Sequence, residues 1–256
     1  MNLSRRAMLA GGAVVTAGAV ATATVLLWPR EESDNDDDPP GVPRVADDLP
    51  DGVKLDDKGF AVHAPRGPDS DPVWGAGVRL SNAGSTDRWV TVAYIPLDSG
   101  GAALGDEVNP GGKLPLPAGA ELRVGVMEAV SSKIGDSVNG LAVRVYAQDD
   151  DVEAAVIETK VQDLSYGDAF DGVEFTALNE NDTVEAPDYG LLYYDGRGDI
   201  IGGWHTNRLA WDSIEEALPS GEADTYPAGE SDHAVPVWLP PDIEADQVTM
   251  SLWSPP

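Results

Sequence analysis

Trp89-Val90-Thr91-Val92-Ala93-Tyr94-Ile95 and Leu141-Ala142-Val143-Arg144-Val145-Tyr146-Ala147 decide how this chain folds. Apolar residues recur at every second position, which is the period of a strand with one buried face. β-branched and aromatic side chains dominate, and Pro96, Asn139 and Gly140 punctuate the ends. Working outward, the same short-run pattern appears at 77–80, 121–126, 156–161, 173–178, 190–194, 200–204, 235–239 and 248–253. A further short run lies at 60–63. Many short strands broken by Gly, Pro, Asn and Asp predict an all-β fold, a sandwich or barrel. One helix is predicted: Trp211, Ile214, Ala217 and Leu218 share a face. Ser213 and Glu216 have capping-box spacing there, and Pro219 stops it.

The strand series contains a duplication. Asn82 is followed after 16 residues by Asp98, and Asn179 after 16 residues by Asp195. Each Asp leads to an apolar-Gly pair, Leu104-Gly105 and Ile201-Gly202, and then to Pro-Ala-Gly at 117–119 and 227–229. The gap from Asp to Pro is 19 residues in the first copy and 32 in the second, and the additional 13 residues coincide with the predicted helix. Asn ends a strand, Asp-Gly chemistry turns the chain, and Pro-Ala-Gly opens another strand.

In the second copy, Leu191-Leu192-Tyr193-Tyr194-Asp195-Gly196-Arg197-Gly198-Asp199-Ile200-Ile201-Gly202 resembles the FxLYD domain, with Asn179 upstream and Pro227-Ala228-Gly229 downstream. The resemblance covers about residues 173–239, and it implies a small immunoglobulin-like sandwich of a prokaryotic surface protein. The first copy, about 78–126, departs from that pattern with Pro96-Leu97 where Tyr-Asp is expected. The family carries no shared catalytic residues, so the resemblance implies a fold and assigns no active site.

Ahead of the strands lies a different kind of sequence. Ser4-Arg5-Arg6 precedes residues 7–28, which carry no charge. Ser-Arg-Arg before an Ala/Gly/Val/Thr-rich core resembles a twin-arginine export signal, a receptor-read address. Twenty-two residues at about 1.5 Å each are long enough to cross a bilayer. Arg5 and Arg6 before the span predict a cytoplasmic N-terminus with the remainder outside. Alternating small residues at 19–23 fit a cleavage site, whereas Trp28 beside Arg30 suits a retained anchor. The retained anchor is the expectation adopted. The chain has no cysteine, which excludes a lipid-modified anchor and any disulfide. Residues 31–38 hold six acidic residues, and prolines follow at 39, 40 and 43. Like charges and stiff prolines predict an extended linker. The expected organisation is therefore a signal or anchor at 1–28, a linker at 29–71, and β-sandwich domains at 72–150 and 151–256.

Composition narrows function. The net charge is −29, from 45 acidic against 16 basic residues, and only five of the basic residues are Lys. Such a polyanion repels phosphate backbones, so nucleic acid is excluded as a partner. The acidic, Lys-poor, Cys-free composition resembles that of haloarchaeal surface proteins, for which twin-arginine export is the common route. Self-repulsion strains a fold this acidic in dilute buffer and is screened at high salt.

No catalytic constellation emerges. His63, His205 and His233 are scattered, and Gly-x-Ser-x-Gly, His-Glu-x-x-His and phosphate-loop motifs are absent from the sequence. No cofactor or transition-metal site is expected. Asp195 and Asp199 flank a turn as candidate Ca²⁺ ligands, but Arg197 stands where a calcium loop needs a ligand. Asn181-Asp182-Thr183 is an N-glycosylation acceptor. The resulting expectation is an exported, membrane-anchored, non-catalytic surface interaction or structural protein that meets the twin-arginine translocase in transit. Two other readings stay open: an extracellular Ca²⁺- or glycan-binding protein, using Asp clusters or exposed Trp, and a secreted hydrolase.

Overall fold

A computed structural model describes residues 45–65, 70–109, 112–149, 152, 156–167, 171–180, 182–185, 187–205 and 225–254. The signal with Arg5 and Arg6, the acidic run, the predicted helix around Trp211 and Asn181 all lie outside the described residues. Residues 39–256 form one compact unit.

The fold is an all-β sandwich architecture. Its first half runs β1 (Val53–His63), β2 (Val73–Asn82), β3 (Arg88–Leu97), β4 (Leu114–Leu116), β5 (Glu121–Ala129), the single-turn α1 (Ser132–Gly135) and β6 (Gly140–Asp149). The second half runs β7 (Val156–Ser165), β8 (Asp171–Asn179), β9 (Val184–Glu185), β10 (Asp188–Tyr194), β11 (Ile200–His205), β12 (Thr225–Tyr226), β13 (Gly229–Val237) and β14 (Val248–Trp253). A 3₁₀ turn at Ala245–Gln247 precedes β14.

Both halves obey one pairing rule. The antiparallel sheet β1-β2-β5 has its counterpart in β7-β8-β13, and the pair β3-β6 has its counterpart in β10-β14. β14 also meets β7 at Leu252↔Ile157 and Trp253↔Val156, which joins the second half into the order β11-β10-β14-β7-β8-β13. Each half encloses an apolar core between its sheets. In the first, Trp74, Val78 and Leu80 of β2 meet Val90, Val92 and Tyr94 of β3 and Leu141, Val143 and Val145 of β6. In the second, Val173, Phe175 and Ala177 of β8 meet Tyr189, Leu191 and Tyr193 of β10 and Met250 and Leu252 of β14. These are alternate residues, as the period-2 reading requires. Each large side chain so buried contributes roughly 1.5–3 kcal/mol.

The structure also corrects the boundaries. Residues 53–63 were expected to be linker with a strand only at 60–63, yet all eleven form β1. The reason lies in pairing, because β1 is a ladder neighbour of β2 from Val53↔Asn82 to His63↔Val73, with a bulge between Leu55 and Asp57. Asp47 and Asp48 are tied down as well. The Val143 amide donates to the Asp47 carboxylate at 2.9 Å, and Lys58 Nζ sits 2.7 Å from the same group. The strand expected at 235–239 is β13, which starts at Gly229 and ends at Val237. Beyond it the Leu239 amide leaves the ladder to donate to Asp171 Oδ2 at 2.8 Å.

Candidate functional site

The duplicated residues have matching jobs in the two halves. Asn82 Nδ2 donates to the carbonyls of Thr86 at 2.8 Å and Leu116 at 3.0 Å. Asn179 Nδ2 donates to those of Asp182 at 2.9 Å and Tyr226 at 3.0 Å. Leu116 and Tyr226 each immediately precede a Pro-Ala-Gly. Both Asn residues are 1 % exposed, so each staples the end of its strand to the short strand crossing it.

The Asp turns match in the same way. Asp98 Oδ1 accepts from the amides of Gly100 and Ala102, and Asp195 Oδ1 accepts from those of Arg197 and Asp199. In each, the amide three residues on donates to the Asp carbonyl, from Gly101 at φ 82° and Gly198 at φ 89°. This left-handed conformation favours glycine. Asp98 thus takes the same turn position as Asp195, while Pro96-Leu97 stands where the second copy has Tyr193-Tyr194.

The Ca²⁺ candidates therefore have another use. Hydrogen bonds from the Asp199 and Arg197 amides hold the Asp195 carboxyl below its ordinary range. One of its oxygens closes the turn, and Asp199 contributes its backbone to the same turn. Among the described residues no group of three or more His, Asp or Glu side chains is arranged to hold a metal ion. Of the described tryptophans, Trp74 and Trp253 are core residues, while Trp89, Trp204 and Trp238 are partly covered.

The histidines separate into two settings. His233 stacks on Tyr226, with ring centroids 3.8 Å apart, and its Nε2 lies 2.7 Å from Ser231 Oγ. His63 and His205 instead cross between the halves. His63 Nε2 is 3.0 Å from the Ile201 carbonyl of β11, and His205 Nδ1 is 3.0 Å from the Gly125 carbonyl of β5. A carbonyl can only accept, so each of these nitrogens carries its proton. Burial pushes the His63 pKa down, and its bond to Ile201 opposes that shift in part.

The two histidines mark a seam that the sequence reading missed. Register places Gly59, Gly77 and Gly125 side by side across β1, β2 and β5. Gly75 lies one step along the same outer face. Against this row runs β11. A Cβ on Gly75 would lie 2.7 Å from the Ile201 carbonyl oxygen, and one on Gly77 would lie 2.8 Å from that of Gly202. A Cβ on Gly59 would overlap the Ile200 carbonyl, and one on Gly125 the Gly203 Cα. From the other wall, a Cβ on Gly203 would lie 2.7 Å from the Gly125 Cα. The seam is largely backbone against backbone, with the Leu192 side chain also against Gly77 and Met127 Sδ against Gly75 and Gly202. Val73 and Met127 of the first half add side chains to the second core, and Trp253 adds one to the first.

At one end of the seam is an open groove of about 300 Å³ lined by Asp57, Lys58, Gly59, Phe60, Leu141, Asp199 and Ile200. Lys58 is already engaged by Asp47 and by the Leu141 carbonyl, at 2.7 and 2.8 Å. The groove mouth thus presents Asp57 and Asp199 to solvent and offers an anion no free cation. No family model, curated protein or solved structure matches this chain.

Proposed function

We propose that this protein is an exported, membrane-anchored surface module whose role is to hold or present an all-β body rather than to catalyse a reaction. The observation that carries the reading is the order of segments: Ser4-Arg5-Arg6, an uncharged 22-residue run, an acidic proline-bearing linker, and then the sandwiches. Arg5 and Arg6 engage the twin-arginine translocase, residues 7–28 remain in the membrane, and the linker carries the folded part clear of the surface. The halves are tandem immunoglobulin-like domains of FxLYD type. Support for that comes from the shared Asn staple and Asp turn, each built from residues at matching spacing. Asn181 is the glycosylation position on the exposed side. The acidic surface suits a high-salt exterior, where a Debye length of about 3 Å near 1 M leaves little self-repulsion.

The test is the intact mass of the protein recovered from membrane and medium fractions of cells expressing the full chain. A membrane-bound species retaining residues 1–28 is expected, and an Arg5→Lys, Arg6→Lys variant should stay inside the cell. Recovery of a trimmed chain from the medium would remove the anchor, and export of the Lys-Lys variant at the normal level would remove the twin-arginine route.

A further inference from the structure

The duplication supplies a comparison within one chain that shows what the seam glycines are for. Matching Asn82 to Asn179 aligns Gly77 with Glu174, five residues before each Asn. Register then places Asp163 and Ala234 beside Glu174, where Gly59 and Gly125 stand beside Gly77. The same row of the same sheet is therefore Gly-Gly-Gly in the first half and Asp-Glu-Ala in the second. Asp163, Glu174 and Ala234 are all exposed. Three glycines are consequently no requirement of the strand arrangement. They occur where β11 lies across the sheet and are replaced where the sheet faces water.

We propose that the row Gly59-Gly77-Gly125 is a built seat for β11 that locks two separately cored sandwiches into one rigid body. The second half lacks such a seat, and that stops the stacking at two. The arrangement is self-consistent on both walls. Gly202 and Gly203 of β11, with Gly190 of β10, remove the side chains that would hold the backbones apart. His63 and His205 then close hydrogen bonds in opposite directions, one from β1 to β11 and the other from β11 to β5. Burial along β2 reflects the lock. Its residues 73–78 are buried on both faces, while Arg79 and Ser81, beyond the seat, alternate with buried neighbours. On the second half the equivalent face would have to desolvate two carboxylates to receive a strand, which disfavours such a contact. None of this depends on where the protein resides.

The experiment is hydrogen exchange with mass spectrometry on the full chain carrying Gly77→Val, with Gly203→Val as the same wedge driven from the opposite wall. Gly105→Val is the control, since a Cβ there meets nothing within 4 Å. Overpacking at the seam should speed exchange of the β11 amides by roughly tenfold or more. β3 and β6 in the first variant, and β8 and β13 in the second, should keep the wild-type pattern. The control should match wild type throughout. Loss of protection spreading equally through β3 and β6, or through β8 and β13, would show that the seam is not separable from the cores and would overturn the lock. Unchanged β11 exchange in both variants would overturn the seat.

Discussion

Asn82→Ala and Asn179→Ala should cost the protein the same amount, because each Asn makes the same connection in its own half. Asn82 donates to one deeply buried acceptor, the Leu116 carbonyl, and to the Thr86 carbonyl nearer the surface, and it accepts from the Gly84 amide. Truncation leaves the Leu116 carbonyl without this donor in a region water does not reach, at about 1–3 kcal/mol. Water can replace part of the other two bonds, so they add about 0.5–1 kcal/mol each. The total is about 3 kcal/mol. For a unit of this size it should lower Tm by about 6–12 °C, at roughly 2–4 °C per kcal/mol. Asn179 should behave alike, with the Tyr226 carbonyl as the buried acceptor that loses this donor. Asn82→Asp should be worse than Ala, since a carboxylate cannot donate and would face two carbonyl oxygens. Urea unfolding in high-salt buffer, followed by far-UV circular dichroism, measures these differences. A loss below about 1 kcal/mol at either position would refute the staple, because it would mean the buried carbonyl does not depend on the Asn.

Three further outcomes follow from the geometry and charge. Burial holds the His63 pKa below its ordinary value, so the unfolded chain takes up a proton the folded one resists. Stability from this group is full above about pH 6.5 and declines as pH falls through that value toward the lower folded pKa; urea midpoints at pH 7.5 and 5.5 should differ less in His63→Gln, and an unchanged difference would remove His63 as the cause. At a net charge of −29, Tm should rise steadily from 0.1 to 2 M NaCl, and a flat or falling curve would show that self-repulsion does not limit this fold. Asp195→Ala should loosen the exposed turn at 195–199 without changing Ca²⁺ affinity, read by isothermal titration against wild type. A Ca²⁺ heat present in wild type and lost in the variant would contradict the turn-only role.

What the sequence made legible followed from local chemistry. The alternation in β3 and β6 places Val90, Val92 and Tyr94 opposite Val143 and Val145, and periodicity alone selects that face. The duplicated Asn and Asp were visible as spacing, and their two matching hydrogen-bond sets give the spacing its physical cause. β1 was harder to read. Its Lys54, Asp56, Asp57 and Lys58 look like linker because four charges in five residues break any apolar alternation, and only the ladder to β2 makes the segment a strand. β4, β9 and β12 are two or three residues long, too short for any period to register.

The seam was illegible for a different reason. Sequence patterns treat glycine as a break in a strand, and by that rule Gly59, Gly75, Gly77 and Gly125 weaken the very strands that contain them. Their meaning appears only when register sets three of them in one row and β11 is found lying across it. A glycine inside a strand costs roughly 0.5–1 kcal/mol relative to alanine, so a row of them has to be offset by what approaches. Here the offset comes from two backbones in contact and two histidines bonded across them. One signal was available beforehand, in the duplication itself. The copy without the row has carboxylates in its place, and a glycine whose repeat partner is Glu or Asp is better explained by something lying on it than by the needs of its own strand.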